Sequence, residues 1–468
     1  MKYSLTILLT LMIFCSGGFA QSPNSFDITL DKKVTKMSCV PCSEKGLCIV
    51  LERKEKASKQ LIINHFDTLF KMQYDTTMTL SSEMLPTSCF YEDGALVVIC
   101  QEFSKSHLSG RGTIFIYHPD NREFEKREIS GIPGVTPTEW WHHYQGHFFF
   151  TVHTRNGKEV WFLPESASQP IPFSFTRENP GQVLTTAVDT AQGKAIICFN
   201  SGDRTMYFET DFYGKSSFAN ILNEPATQAQ WLSVGRNHSV LMLYYQNNET
   251  FYFHPVNILN HKVMPSETIY CSDISAPQSL PERVKEKQTV IIVPHTFINF
   301  LPAETNVYKD IISCVTELYY SEYYNYFNGW YIEPRFNGYR YDRADVHFFD
   351  TNGVFLTNVT FPYNEEYSLH SRITKNLKIF PLQNDDILLY YQNAQQLTTM
   401  LIDSAYRIKD PVRTTDLPLP KITFKKQRLV VDRFEPWYGD NQFMLTAFRI
   451  NVMSQRKVGF LVRKLEYN

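Results

Sequence analysis

Short runs of β-prone residues recur along this chain, and each follows a polar turn that contains Gly, Asn or Asp. A second β-prone run follows after another polar turn. Short apolar runs bounded by turn residues are typical of buried strands. The first runs of the recurring units are Leu47–Leu51, Ala95–Cys100, His147–Val152, Lys194–Phe199, Ser239–Tyr245, Trp330–Ile332, Ile387–Tyr391 and Phe443–Phe448.

The spacing of these units predicts the fold. Their starts are roughly 45 to 57 residues apart, except for an interval about twice as long before Trp330. A more polar fourth run such as Arg122–Ile129 usually ends the unit, as suits an exposed sheet edge. Four antiparallel strands at this period are typical of a propeller blade. We therefore predict an all-β fold: a β-propeller of four-stranded blades, eight in number, with seven as the alternative.

The two ends of the chain predict how the ring closes. The last unit contains Arg428–Glu435, Gln442–Ile450 and Lys457–Tyr467, so it is one strand short. Phe26–Leu30 alternates like a strand and precedes the first full unit. We predict that this N-terminal strand joins the last blade. A single propeller domain then spans residues 21–468, with an irregular insertion or a degenerate blade at about residues 265–310.

The N-terminus predicts export. Lys2 is followed by the apolar run Leu5–Phe14 and by small residues that end at Ala20, before Gln21. Because the run is too short to span a bilayer, residues 1–20 are interpreted as a signal peptide. We predict a protein of the periplasm, the cell surface or the extracellular space, without a transmembrane segment.

Cysteine spacing suggests disulfides in such an oxidising compartment. Two pairs flank predicted hairpin turns, and a third pair brackets the irregular region. The candidate pairs are Cys39 with Cys48, Cys89 with Cys100, and Cys271 with Cys314. No second CxxC or paired His accompanies Cys39 and Cys42 at zinc-site spacing, so no metal site is predicted.

Composition narrows the classes of partner. Charged residues make up 20% of the chain and the net charge is −2, which argues against a nucleic-acid partner and against an acidic disordered chain. Aromatic residues reach 15%. Exposed Tyr and Trp offer rigid area for stacking on sugars or gripping peptides, whereas cross-strand packing is the structural alternative. The candidate binding residues are Tyr319, Tyr320, Tyr323, Tyr324, Trp330, Trp140, Trp141 and Trp437.

The most histidine-rich stretch surrounds a turn at Gln145-Gly146. A hairpin there is expected to bring His143 and His147 close to opposite one another, and Glu139 is a possible third ligand for a transition metal. A polar hairpin tip in solvent is the simpler interpretation, and it is the one we adopt.

Catalytic chemistry is the property that the sequence determines least. The GxSxG, HExxH, P-loop and dinucleotide motifs are missing from the sequence, and no cofactor is predicted. Paired carboxylates over the central channel would suit glycoside hydrolysis, provided that they lie close together. The candidates on the innermost strands are Glu139, Asp189, Asp432 and Glu435. None of them matches a known catalytic block, so the catalytic residues are unknown.

The signal peptide that ends at Phe19-Ala20 and the repeat together give a resemblance to secreted bacterial β-propeller proteins of uncharacterised type. The resemblance is architectural and supplies no site residues. It implies an exported binding or scaffold propeller of the cell envelope that recognises a protein or glycan through one face of the ring. The alternative is a propeller glycoside hydrolase or polysaccharide lyase with channel carboxylates.

Overall fold

The structure, a computed structural model, is a ring of eight antiparallel blades, each built on four strands. The prediction of eight blades is therefore confirmed. The structure describes residues 19–102, 109–133, 139–154, 157–178, 181–222, 225–246, 251–264, 269–270, 284–285, 288–289, 299–327, 331–363, 369–370, 372–420, 426–438 and 441–467.

The first strand, β1, is Phe19–Thr29, and the first four blades follow it in chain order. Blade 1 contains β2 to β5, which are Val34–Pro41, Leu47–Lys54, Ser58–Phe66 and Met72–Ser81. Blade 2 contains β6 to β9, which are Met84–Glu92, Ala95–Glu102, Ser109–His118 and Glu123–Pro133. Blade 3 contains β10 to β13, which are Glu139–Tyr144, His147–Thr154, Gly157–Leu163 and Ile171–Pro172, followed by a short helix α1, Ser174–Glu178. Blade 4 contains β14 to β17, which are Gln182–Asp189, Lys194–Ser201, Arg204–Thr210 and Ser216–Leu222.

The remaining blades include several short additional strands. Blade 5 contains β18 to β22, which are Gln228–Gly235, His238–Gln246, Phe251–Leu259, Lys262–Val263 and Ile269–Tyr270. A small hairpin of β23 and β24, Val284–Lys285 and Gln288–Thr289, comes next. Blade 6 contains β25 to β29, which are Asn299–Tyr308, Ile311–Phe327, Ile332–Asp350, Phe355–Pro362 and Leu369–His370. Blade 7 contains β30 to β33, which are Leu377–Pro381, Ile387–Asn393, Gln396–Ile402 and Ile408–Asp416. Blade 8 contains β34 to β36, which are Gln427–Pro436, Gln442–Asn451 and Arg456–Tyr467.

The N-terminal strand closes the ring, as predicted. β1 pairs antiparallel with β36 and supplies the fourth strand of blade 8, with Phe26 opposite Val462. The ring of Phe26 stacks on Phe66 of blade 1 at 4.4 Å between centroids. The strand begins at Phe19, earlier than the predicted Phe26–Leu30.

Burial follows the position of each strand within its blade. The second strands β3 and β7 are buried along nearly their whole length, because both of their faces pack against neighbouring strands or blades. The fourth strands β5 and β33 are largely exposed. Their polar character therefore matches that of an outer edge that must resist pairing with other chains.

A recurring aspartate shapes the turn between the third and fourth strands. In four blades its Oδ1 accepts hydrogen bonds from the backbone N–H groups two and four residues later, at 2.8–2.9 Å. Such side-chain bonds stabilise tight turns. These residues are Asp67, Asp211, Asp350 and Asp403. They form a repeat signature that the period alone did not reveal.

Blade 6 departs from the sequence prediction. Its second strand is β26, whereas Ile332, the last residue of the predicted run Trp330–Ile332, begins the third strand β27; Trp330 lies outside the described residues. Residues 299–308, within the predicted irregular region, form the innermost strand β25. In the described part of the chain, no helix is long and apolar enough to cross a membrane.

The predicted Cys39–Cys48 disulfide is wrong, because the strand register differs from the assumed one by one residue. Cys39 lies opposite Ile49, and Cys48 lies opposite Val40. A shift of one residue places two side chains on opposite faces of a sheet. Accordingly, Cys39 packs toward blade 8 and Cys48 toward blade 2, and both are free thiols.

The predicted Cys89–Cys100 disulfide is also not formed. Cys89 lies opposite Val98, and Cys100 lies opposite Pro86, so the two cysteines are displaced along the hairpin. Cys314 is buried and free. Its predicted partner Cys271 lies outside the described residues, and that pairing stays a prediction.

A buried histidine makes the stability of the ring depend on pH. His347 of β27 is 5% exposed, and its Nε2 has no hydrogen-bond partner among the described residues. Burial lowers the pKa of His347 from 6.5 to about 4, although the nearby Asp345 opposes that shift. Between these two values the unfolded chain binds a proton that the folded chain does not bind. Stability therefore falls as the pH falls through this window.

We expect this one group to remove up to about 3 kcal/mol of stability between pH 7 and pH 4. Urea unfolding of the wild type and of His347→Phe at both pH values measures the effect. The phenylalanine variant keeps a ring of similar size against Phe253, which contacts His347 at 4.7 Å between centroids. It should lose less stability on acidification, and an equal loss in the two proteins would contradict the assignment.

Candidate functional site: the aromatic arm of blade 6

The hairpin of β26 and β27 extends well beyond its blade. These strands pair from Ile311 opposite Asp350 to Phe327 opposite Ile332, whereas β25 covers β26 only as far as Tyr319. Among the described residues, the segments 320–327 and 331–342 therefore form a two-stranded ribbon that continues past β25, here called the arm; β24 also contacts β26. At the usual rise per residue it extends about 25 Å.

A buried ion pair stabilises the base of the arm. The Arg340 guanidinium donates a hydrogen bond to Glu322 Oε2, and the Asn337 amide donates to Glu322 Oε1 at 2.6 Å. Glu322 and Arg340 are 5% and 8% exposed. An isolated two-stranded ribbon is marginally stable in water, so this polar contact and the packing around it help to define the shape of the arm.

The first tyrosines of the predicted binding stretch are structural. Tyr319 is buried against Tyr341 at 5.6 Å between ring centroids. The hydroxyl of Tyr341 donates to the Thr374 carbonyl and accepts from the Thr374 N–H, both at 2.8 Å. Tyr320 is buried as well. These residues therefore secure the arm to the ring, and the outer part of the arm carries the accessible area.

The outer arm exposes three aromatic side chains that were not among the predicted binding residues. Tyr331 is 60% exposed, Phe336 is 46% exposed and Tyr326 is 37% exposed. The Arg335 guanidinium lies 3.6 Å from the centroid of the Tyr326 ring, an arrangement typical of a cation–π contact. The many aromatic residues of this stretch indicated a binding surface. The strand register of the arm is needed to show which of their rings face outward.

Phe336 is the centre of a small aromatic cluster on the arm. Its ring meets Tyr323 edge-on at 5.7 Å and Tyr339 at 5.0 Å. Tyr323 and Tyr324, both among the predicted binding residues, are partly buried. The cluster packs Phe336 against side chains of both strands of the arm.

The predicted tryptophans do not extend this surface. Trp141 is buried and stacks on Phe150 at 4.1 Å between centroids, and Trp437 is buried beside Phe70. Trp330 and the side chain of Trp140 lie outside the described part of the structure. No described tryptophan of this set is therefore on the arm.

The histidine-rich hairpin does not form the arrangement considered from sequence. His147 lies opposite Tyr144, so His143 and His147 face opposite sides of the sheet. The ring of His142 instead bridges blades, with Nε2 3.0 Å from Thr186 Oγ1 and Nδ1 3.4 Å from Glu92 Oε1. Among the described residues there is no group of three His, Cys, Asp or Glu side chains that is suited to a metal ion.

The candidate channel carboxylates differ in their surroundings. Asp189 is buried and accepts hydrogen bonds from the N–H groups of Ala191 and Gln192, at 3.0 and 3.2 Å, so it caps a turn. Asp432 is exposed. Burial raises the pKa of Glu435. The side chain of Glu139 lies outside the described residues, and the pairing required for hydrolysis stays a prediction.

Comparisons with solved structures find only distant similarities. The Dos1 propeller is 8% identical, with 96% of this chain and 95% of that chain covered and a TM-score of 0.45. Dihydro-heme d1 dehydrogenase NirN is 10% identical over 97% of this chain and 77% of that chain, with a TM-score of 0.43. The periplasmic gluconolactonase PpgL of Pseudomonas aeruginosa is 10% identical over 81% and 95%, with a TM-score of 0.40.

No family model matches the chain, and no curated protein matches it either. The class defined by the fold is therefore an eight-bladed β-propeller closed by its N-terminal strand. Propellers serve many functions, so any functional conclusion has to come from the arm and its surroundings.

Proposed function

We propose that this protein is an exported, non-enzymatic binding propeller that grips a protein partner through the arm. The observation that carries the proposal is the projection of the arm past its blade with Tyr331 and Phe336 exposed at 60% and 46%. Tyr and Arg contribute strongly to protein interfaces because they bury large, rigid area at low entropic cost. The predicted signal peptide supports a partner in the cell envelope or outside the cell.

The edges of the arm favour a protein over a glycan. The pairing of β25 with β26 ends at Tyr319. From there outward, β26 pairs with β27. On the other side, β29 pairs with β27 only at Tyr339 and Arg340. Among the described residues, no further strand pairs with the segment 332–336, so an extended peptide can add to this edge through the backbone groups other than the missing N–H of Pro334. A sugar can hydrogen-bond to such an edge through its hydroxyls, but it lacks the regular repeat of donors and acceptors that a peptide backbone offers.

Photo-crosslinking tests this proposal at single residues. With p-benzoylphenylalanine in place of Phe336 or Tyr331, we expect a discrete protein adduct when the protein is incubated with envelope extract of its source and irradiated. The matched control carries the same group in place of Tyr213, which is 61% exposed on the turn between β16 and β17. That control should give no corresponding adduct.

A glycan array provides the alternative outcome. If the protein binds defined glycans and Phe336→Ser removes that binding, while no protein adduct forms at the arm, the partner is a glycan and the proposal is wrong. Equal adducts from the Tyr213 control would show that the arm has no special role.

A further inference from the structure

Exposed apolar side chains recur at one kind of turn in the ring. Among the described residues, six of the eight blades have a large apolar residue in or next to the connection between the third and fourth strands, and it is 41% to 61% exposed. A single exposed apolar residue is ordinary, whereas the same position in six blades indicates a shared role. These residues, here called the apolar tips, are Leu69, Ile171, Tyr213, Leu259, Val354 and Ile408.

The apolar tips all lie on one face of the ring. Successive strands of a blade run antiparallel, so the connections between third and fourth strands lie on the face opposite to those between second and third strands. The arm is a hairpin of the second and third strands of blade 6. The tips therefore surround the ring on the face opposite to the arm. A flat surface can touch all of them at once, whereas a protein interface of ordinary size reaches only neighbouring blades.

Lysines accompany the tips of blades 4 and 5. Lys215 lies two residues after Tyr213, and Lys262 lies three residues after Leu259. Both lysines are exposed, and neither forms an ion pair with another described residue. An apolar side chain beside a free ammonium group suits the boundary of a bilayer, where the first enters the apolar region and the second meets lipid phosphate.

The acidic residues of this face leave blades 4 and 5 open to an anionic surface. The connections of these two blades on this face are all described, and the acidic residues in them are Asp189 and Asp211. Each accepts two hydrogen bonds from backbone N–H groups of its own turn. The exposed carboxylates of Glu44 and Glu165 lie on blades 1 and 3 instead. Anionic lipids would therefore be met mainly by Lys215 and Lys262.

We propose that this face rests on a membrane surface that contains anionic lipids. The apolar tips enter the headgroup region, and Lys215 and Lys262 lie at the lipid phosphates. In this orientation the arm points away from the membrane, into the aqueous compartment. Because the tips and the arm are on opposite faces, the proposal does not depend on the partner of the arm.

Vesicle sedimentation of the chain that begins at Gln21 tests the proposal. It should bind vesicles of equal parts phosphatidylglycerol and phosphatidylcholine at least tenfold more tightly than vesicles of phosphatidylcholine alone. The triple variant Tyr213→Ser, Leu259→Ser, Val354→Ser should weaken that binding at least tenfold, because apolar area is lost from three blades. The matched control removes side chains that are 43% to 77% exposed on the face of the arm and should bind like the wild type. It is Ile221→Ser, Val452→Ser, Met453→Ser.

A second pair of variants tests the charge. Lys215→Glu with Lys262→Glu should weaken binding to the anionic vesicles at least tenfold. Lys426→Glu with Arg428→Glu changes the net charge equally at exposed positions on the face of the arm and should leave binding within twofold. Unchanged melting temperatures confirm that the variants are folded. The proposal is overturned if the wild type does not sediment with anionic vesicles, if it binds neutral vesicles equally, or if either control weakens binding as much as its counterpart.

Discussion

A chain that begins at Leu30 is expected to lose its monomeric native state, whereas a chain that begins at Gln21 keeps it. The shorter chain lacks β1, so the edge of β36 from Gly459 to Arg463 loses its backbone partners. It also lacks Phe26, whose ring stacks on Phe66 across the closure. An uncovered apolar edge strand pairs readily with other chains. We expect aggregation or a fall of several degrees in melting temperature, because several kcal/mol are lost.

Size-exclusion chromatography and thermal unfolding of the two chains measure this effect. A synthetic peptide of residues 21–29, added during refolding of the shorter chain, should restore the monomer by supplying the missing strand in trans. If the shorter chain is monomeric and melts at the same temperature as the longer one, the ring does not need β1 for its closure and the prediction is wrong.

Glu317→Ala is expected to destabilise the protein by about 4 kcal/mol, since it leaves several buried donors without an acceptor. Glu317 is fully buried in β26, and its Oε1 accepts from the Tyr363 hydroxyl at 2.5 Å and from the Leu377 N–H at 2.6 Å. The Asn376 N–H donates to the same oxygen at 2.8 Å. Burial raises the pKa of this carboxyl, while the donors oppose the rise. One carboxylate thereby joins blade 6 to the first strand of blade 7.

Urea unfolding of Glu317→Ala and Glu317→Gln separates the acceptor from the charge. The glutamine keeps an oxygen for the donors and should cost roughly half as much, because the carbonyl replaces most of the lost bonds. Tyr363→Phe removes one donor and should cost about 1 kcal/mol. A loss below 1 kcal/mol in Glu317→Ala would contradict the role assigned to this residue.

The sequence was sufficient to predict the number of blades, because each blade has its own local pattern of β-prone runs and polar turns. In blade 7, the run predicted at Ile387–Tyr391 matches β31 closely. The pattern was insufficient in blade 6, where β26 and β27 continue to pair past β25 and the predicted run Trp330–Ile332 is not the second strand of the blade. Local patterns report strand propensity, but they do not report how far two strands continue to pair.

The incorrect predictions at single residues have one cause, which is that the strand register differs from the assumed one. Cys39 with Cys48 and His143 with His147 were both expected to be opposite across hairpins, and both are displaced by one position. Because side chains alternate with a period of two, that displacement moves each pair to opposite faces. The same alternation decides which arm rings are exposed, so Tyr319 was predicted as a binding residue and Phe336 was not.

Hydrogen exchange on the complex with the cross-linked partner tests the central claim most directly. If the partner adds a strand to the arm, the backbone amides of 332, 333, 335 and 336 and of the neighbouring segment 320–327 should exchange more slowly in the complex than in the free protein, Pro334 having no amide proton. The turn at Asp211–Gly214, on the opposite face, should be unchanged. Protection at that turn with no change in the arm would contradict the proposal that the arm is the binding element.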